Sequence, residues 1–480
     1  MHRIVPGRPW PLHDTAASRR VEAAAAAQLP QHALMQRAGL AVARLALALA
    51  PHARDVWLAC GPGNNGGDGL EAAMHLKRWG GHPVVTWLGE PQRAPQDARA
   101  SLQRAREAGV AFAEAPPPSW DLCVDALFGL GAQRPLSGPA AGWRDHMRAG
   151  ARPVLAVDLP SGLDADTGTG EQPVRATHTL SLLTLKPGLF TGSGRDAAGE
   201  IWFDDLGVSP DIAAPTALLA GAPSRVPRRH ASHKGSWGDV AVIGGAAGMR
   251  GAALLAARAA LHAGAGRVFV CAPDGDGAGL DPASPELMFR GAADLDLSRM
   301  HVACGCGGGD AIRSLLPRVL STAASLVLDA DALNAMAADT ALQVLLRSRA
   351  GRGRRTVITP HPLEAARLLA CSTAEVQSDR LAAARVLAQA HGCVVVLKGS
   401  GSVIAGPENT AAINPTGNAR LATAGTGDVL AGLLAARLAA GASAFDAAAG
   451  GVWEHGRVAD DWPEAVPFTA TRLAESFSPP

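Results

Sequence analysis

Four residues near the end of the chain carry the most chemistry per position: Gly425-Thr426-Gly427-Asp428, followed at once by an apolar helical run from Val429. Glycines free the backbone to turn with its N–H groups outward, and a helix start adds unpaired donors and a positive dipole end. Such a place suits an anion. Asp428 at the same helix start could cap the helix, or it could take a proton from a hydroxyl beside a phosphate. Upstream, Lys398-Gly-Ser-Gly-Ser402 supplies a second anion contact, so the pair suits a diphosphate or triphosphate. Asp329 and Asp331 could reach magnesium-bound phosphates through water, or could cap a strand end. His361, held between two prolines, is a candidate to face a ligand or a surface residue.

The first half has its own constellation. Cys60-Gly-Pro-Gly-Asn-Asn-Gly-Gly-Asp-Gly69 sits between an apolar strand, Val56–Ala59, and a helix expected over Leu70–Trp79. Strand, glycine-rich loop and helix form the phosphate- and dinucleotide-binding arrangement of open α/β sheets, although the NAD fingerprint itself is absent. Asn64, Asn65 and Asp68 add amide and carboxylate oxygens. Strands Leu122–Val124 and Val154–Val157 each end in an acid, Asp125 and Asp158, and Ser161 follows. In a parallel sheet such ends gather on one edge. There Asn65, Asp125 and Ser161 would suit a cation such as K⁺ or a magnesium-bound substrate, while each acid could instead cap a turn. Lys186 reads as a surface charge or an anion contact.

These residues need scaffolds. Two helices are expected over residues 15–50, the second, Leu34–Leu49, buried. Strand–loop–helix units then recur along both halves, with strands at Val240–Ile243, Arg267–Cys271, Leu326–Leu328, Val357–Thr359 and Val394–Leu397. That rhythm predicts an α/β protein of two doubly wound domains, each with a mostly parallel sheet covered by helices on both faces. The domains are expected at 1–210 and 229–480, with a Pro- and Ala-rich linker at 211–228. The 480 residues suit two such cores. With 44 Lys and Arg against 43 Asp and Glu, the chain lacks the basic excess of a nucleic-acid binder. Seven cysteines without a CxxC pair argue against disulfides or zinc and fit a reducing cytoplasm. No apolar run is long enough to cross a membrane without charge.

GPGNNGGDG, VDALFGLG and VDLPSGLDADTG resemble the NAD(P)HX epimerase domain, also called the YjeF N-terminal domain, over about Asp14–Gly207. The resemblance implies a Rossmann-like three-layer sandwich that interconverts the R and S forms of hydrated NADH and NADPH. It implies that Asn64, Asn65, Gly66, Gly67 and Asp68, then Gly129, Leu130, Gly131, Ala132, Gln133, Arg134 and Pro135, with Asp158, hold the nicotinamide nucleotide. Asn65, Asp125 and Ser161 would hold K⁺, and Asp158 is the candidate catalytic group. The family tends to carry Thr where Leu130 stands and Glu where Gln36 stands.

HKGSWGDVAVIGG, VLDADALN, TPHPLEAARL, KGSGSVIA and NPTGNARLATAGTGDVLAG resemble the ADP-dependent NAD(P)HX dehydratase branch of the ribokinase-like superfamily, over about Arg229–Phe477. By that resemblance Ala252, Gly307, His361 and Asp428 face the hydrated nicotinamide. Lys398, Gly399, Ser400, Gly401, Ser402 and Gly427 bind the adenine nucleotide, with Mg²⁺. The family more often has GPGLG at Ala303–Gly307 and a glycine at Leu363. The implied chemistry is phosphoryl transfer from ADP to the ring hydroxyl, then elimination of phosphate, with Asp428 as base. The expected partners are NADHX, NADPHX and ADP in a cytoplasmic homo-oligomer, a tetramer or higher, with no nucleic acid and no membrane. Two rivals stay open. One is a kinase of a vitamin-like alcohol with a nucleotide-binding regulatory first half. The other is a nucleotide-sensing protein without turnover.

Overall fold

The computed structural model describes residues 1–479 apart from 132–134, 210–211, 225–227 and 276–278. It comprises two units, Met1–Val5 with Trp10–Leu218, and Pro6–Pro9 with Leu219–Pro480. Within the expected linker, Ala217–Leu219 forms a short strand.

The first unit is built on a sheet whose strands run in the order His2–Arg3, Glu200–Asp204, His178–Leu182, Val154–Val157, Leu122–Ala126, Asp55–Cys60, His82–Trp87, Ala111–Ala113. All neighbours are parallel except the His2–Arg3 edge, which pairs antiparallel. The strand Asp55–Cys60 is apolar on both faces. Val56, Leu58 and Cys60 pack with Val42, Leu70 and Ala73 of two helices, while Trp57 and Ala59 pack with Trp143 and Met147 of another. Helices therefore cover both faces, and the unit is a three-layer sandwich. Chain order reverses between Asp55–Cys60 and Leu122–Ala126, so the loops leaving their carboxyl ends diverge and open a crevice.

The helix after Asp55–Cys60 starts at Asn64, six residues earlier than the expected Leu70. The glycines expected to form a loop lie inside it, and their lack of a side chain serves close packing. A Cβ on Gly66 would lie 2.0 Å from the Gly61 carbonyl oxygen, and one on Gly69 2.6 Å from Ala126 Cβ.

In the second unit the strands follow the order Met288–Phe289, Arg267–Cys271, Asp239–Ile243, His301–Cys304, Ser325–Leu328, Thr356–Ile358, Val394–Leu397, Val403–Ala405, Ala412–Ile413. The run is parallel up to Val394–Leu397 and antiparallel after it. Val240 and Val242 pack against the helices Arg250–His262 and Thr426–Ala439. The last of these again begins earlier than its apolar run suggests, at Thr426 rather than Val429, with Gly425 at φ +90° in the N-cap position. Among the described residues no helix is long and apolar enough to cross a membrane.

Candidate active sites

In the first unit a cavity of about 490 Å³ opens at the carboxyl edge of the sheet. Its wall contains Asn64, Asn65 and Asp68 from the helix start, Leu127–Gly131 from the loop after Leu122–Ala126, and Asp158 from the next strand end. The helix Asn64–Arg78 has no side-chain cap, which leaves the first-turn N–H groups for an acceptor in the cavity. Of the residues expected here, Gly66 and Gly67 are buried in the packing of that helix and Pro135 is exposed. Ala132, Gln133 and Arg134 lie outside the described residues.

Asp158 adopts φ +68°, a left-handed conformation that aspartate tolerates better than most residues. Its Oδ1 accepts from the Leu182 N–H at 3.0 Å and from the Lys186 ammonium. Lys186, expected as a surface charge, is 1% exposed and also donates to the Leu182 carbonyl at 2.8 Å. The signal was present, because Lys186 lies in an almost unbroken apolar run, Leu182–Phe190, where a lysine must find a buried partner. Asp68 is surrounded by acids. Burial, then the charges of Asp158, Glu22, Glu71 and Asp97, hold its carboxyl well above the usual carboxylate range. Burial, then Asp158, raises Glu22 as well.

Asp125 and Ser161 meet beneath this cavity. Asp125 Oδ1 accepts from Ser161 Oγ at 2.7 Å, and its Oδ2 accepts from the Ser161 N–H at 2.8 Å. Asp125 is fully buried, and desolvation outweighs these bonds, so its carboxyl is pushed up to about 6. Asn65 has its Oδ1 beside Gly129 and its Nδ2 buried with no partner among the described residues. The two ends of an amide are a matter of assignment. Turned end for end, Asn65 would present a buried oxygen with no donor. A buried carboxylate with no cationic partner among the described residues, a hydroxyl and such an amide suit one weakly held monovalent cation.

The second unit gathers its groups on three strand ends and one helix start. Asp329 follows Ser325–Leu328, and Lys398 follows Val394–Leu397 and donates to Asp329 Oδ1 at 2.6 Å. Cys306 follows His301–Cys304, and Asp428 stands in the first turn of Thr426–Ala439. The Cys306 sulfur and one oxygen each of Asp329 and Asp428 lie within 4.8 Å of one another. Burial first, then the charge of Asp329, pushes the Asp428 carboxyl up to about 6. Gly427 is helical, and its missing side chain keeps space open. A Cβ there would lie 3.4 Å from Lys398 Nζ and 3.7 Å from Asp329 Oδ2. The approach to this turn is pinned by Thr426 Oγ1 donating to the Leu421 carbonyl at 2.8 Å, and by His455 donating to the Thr426 carbonyl at 2.9 Å.

Ala252 and Gly307 come together, since a Cβ on Gly307 would lie 2.9 Å from that of Ala252. Gly399 (φ +133°) begins the turn after Lys398, with Ser400 exposed and Gly401 buried, and the Ser402 hydroxyl donates back to the Gly399 carbonyl at 3.2 Å. His361 is committed to the fold more than its sequence setting suggested. Its Nδ1 accepts from the N–H groups of Leu363 at 3.1 Å and Glu364 at 3.4 Å, which caps a helix, and its Nε2 lies 3.4 Å from Glu364 Oε1, so both ring nitrogens are turned toward its own helix. Sequence reasoning missed Arg380. It is 2% exposed and donates to the carbonyls of Leu397 at 3.2 Å and Lys398 at 3.1 Å, which fixes the turn after Lys398 from beneath.

Two self-contained α/β sites, one with acids around a crevice and one with a carboxylate and an ammonium at a helix start, define a two-headed enzyme built to handle nucleotides. The YjeF-related protein N-terminus family matches residues 31–188, and the NAD(P)H-hydrate dehydratase family matches residues 240–478. The chain is 37% identical to the bifunctional NAD(P)H-hydrate repair enzyme of Escherichia coli, over 95% of this chain and 90% of that one. It is 37% identical to that of Moorella thermoacetica, over 90% and 88%. A solved ADP/ATP-dependent NAD(P)H-hydrate dehydratase from Bacillus subtilis, co-crystallized with ATP/Mg²⁺, shares 29% identity, covering 53% of this chain and 91% of that one at a TM-score of 0.43. The chain belongs to the family of bifunctional NAD(P)H-hydrate repair enzymes, and joins an epimerase to a dehydratase.

Proposed function

We propose that the first unit interconverts the epimers of hydrated NADH and NADPH, and that the second dehydrates the S epimer at the expense of ADP, giving AMP and phosphate. The single observation that carries the second assignment is Asp428. It is a carboxylate raised toward neutrality, beside an ammonium-bearing loop and over a glycine whose missing side chain leaves room for a phosphoryl group. Hydroxide is a poor leaving group and phosphate a good one. Asp428 takes the proton of the ring hydroxyl as the phosphoryl group arrives. The N–H groups at the helix start and Lys398 hold the transferring charge, and loss of phosphate restores the ring double bond. Mg²⁺ enters as part of the nucleotide co-substrate. Lys398, Gly399, Ser400, Gly401, Ser402 and Gly427 receive that nucleotide, and Ala252, Gly307 and the His361 ring border the nicotinamide.

In the first unit two of the carboxyls facing the cavity differ in environment. Asp158 is paired with Lys186, whereas burial, then the neighbouring acids, holds the Asp68 carboxyl well above the usual carboxylate range. Inversion at the hydroxyl-bearing carbon requires one of its bonds to open and re-form: Asp158 accepts the hydroxyl proton as the ring C–N bond opens to an aldehyde, Asp68 gives its proton to the departing nitrogen, and re-closure on the other face returns both protons. Asn65, Asp125 and Ser161 would hold K⁺, which would neutralise the buried carboxylate and fix the loop beneath the substrate. The seven free cysteines support a reducing, cytoplasmic setting. A homo-oligomer of four chains or more is the assembly we expect, and mass photometry tests it. The assignment is tested with acid-hydrated NADH and Mg·ADP. Asp428→Asn should lose dehydration by about 10²–10⁴-fold while epimerisation persists. Retained dehydratase turnover refutes it.

A further inference from the structure

The helix start that carries Asp428 is held from outside by the helix Ala444–Asp460. The chain leading to that start lies directly on Gly456, where a Cβ would stand 2.3 Å from Thr416 Oγ1 and 2.7 Å from the Gly417 nitrogen. The Thr416 hydroxyl donates to the Trp453 carbonyl at 2.8 Å, and the Asn418 amide to the Ala459 carbonyl at 2.8 Å. Next to Gly456, His455 is 7% exposed and donates from Nε2 to the Thr426 carbonyl at 2.9 Å. The Phe477 ring lies nearly parallel to the imidazole, at 19°, with ring centres 6.5 Å apart, and steadies its plane. Among the described residues no other side chain donates to the Thr426 carbonyl. The other end of the same peptide group is the Gly427 N–H. It has no acceptor among the described residues and is left for a ligand.

We propose that His455 is a positioning residue of the dehydratase, which grips the Thr426 carbonyl, sets the plane of the Thr426–Gly427 peptide, and so aims the Gly427 N–H at the transferring phosphoryl group. This rests on the reading of the Asp428 turn as the site of phosphoryl transfer. A peptide group is planar and rigid, so the direction of its C=O fixes the direction of its N–H. The first turn of a helix otherwise frays or tightens. A donor stabilises developing charge only when it is aimed in advance at the place where the charge will stand. The same bond polarises the peptide and makes the Gly427 N–H the stronger donor. A carbonyl has no proton to give, so Nε2 is the nitrogen that carries one. Burial first, against the pull of the Thr426 carbonyl, pushes the imidazole down to about 4, so it stays neutral near pH 7 and adds no charge beside Asp329, Lys398 and Asp428.

The test compares full-length wild type with His455→Phe, His455→Leu, His455→Gln and Asp428→Asn, measuring kcat and both KM values of dehydration, the rate of epimerisation and the melting temperature. Phe keeps a flat ring and lacks the donor. Leu, smaller and equally without a donor, covers the case in which Phe fails to fold. The expected result is a fall in dehydratase kcat of about 10-fold or more in the Phe and Leu variants, with KM for ADP and for the hydrate within about twofold, because the aimed N–H acts on charge in transfer. His455→Gln recovers kcat to within about threefold, since its amide nitrogen stands as many bonds from the backbone as Nε2 does, and epimerisation stays unchanged in all of them. A Phe or Leu variant with wild-type kcat overturns the proposal. So does a fall in kcat that Gln leaves unrecovered, or one matched by a rise in both KM values, because those mark packing alone. Failure of both donor-free variants to fold overturns it too, since the bond then serves the fold. Turnover surviving in Asp428→Asn would instead remove the reading of the site itself, whatever the His455 variants do.

Discussion

The dehydratase should lose activity in acid with a midpoint set by Asp428. Burial and the facing charge of Asp329 push this carboxyl up to about 6, and only the deprotonated form can accept the hydroxyl proton. With that midpoint the base is about nine-tenths ionised at pH 7 and about one-tenth at pH 5, so kcat/KM for the hydrate should fall roughly ninefold between them and level off above pH 8. The assay is discontinuous, counting AMP after a fixed interval with the purified S epimer, because reduced nicotinamides decay in acid. The phosphates of ADP titrate in the same region, so the profile of wild type alone does not suffice. Asp329→Asn separates the two. It removes the carboxylate that raises Asp428 and releases Lys398 from its pairing, and both changes move the midpoint toward lower pH while leaving the nucleotide's own titration in place. A midpoint that stays put in Asp329→Asn, or a wild-type profile flat from pH 7 to 5, refutes the electrostatic account of the site.

Two further outcomes concern the epimerase unit. Asp125 is a buried acid whose folded pKa is raised to about 6 from the ordinary 3.8, so its contribution to stability is present below the lower value and lost as pH rises through the upper one. A cation beside it offsets that loss, so K⁺ at tenfold its dissociation constant should stabilise the unit by about 1.4 kcal/mol near pH 8 and by little near pH 5. Thermal melts in K⁺ against tetramethylammonium would show this, and Asp125→Asn should abolish the difference. Lys186→Met should eliminate epimerisation, leave dehydration intact and destabilise the first unit by about 3–5 kcal/mol through the unpaired Asp158. The double variant Lys186→Met with Asp158→Asn should regain stability but not activity, and calorimetry with an epimer-resolved assay decides both.

The alternation of apolar strand, polar turn and helix was legible because buried parallel strands must be apolar on both faces, as Val154–Val157 and Val394–Leu397 are. Their carboxyl ends, and so Asp125, Asp158, Asp329 and Lys398, followed from the topology. Helix starts were misread at Asn64 and Thr426, since glycine usually argues against helix. Here Gly66, Gly67, Gly69 and Gly427 sit within helices because neighbouring atoms approach too closely for, or a ligand space excludes, a side chain. Lys186 and Arg380 act through long-range partners, and no spacing rule links Lys186 to Asp158 or Arg380 to the Lys398 carbonyl. His361 was legible as a rigid residue, but only coordinates show that its ring nitrogens are turned toward its own helix.

Every group assigned to the crevice of acids comes from one unit, and every group around Asp428 from the other. What the single polypeptide guarantees is therefore parity: for each dehydratase made, one epimerase is made. A cell that expresses it cannot deplete one epimer of a spoiled coenzyme while the other accumulates for want of a partner enzyme.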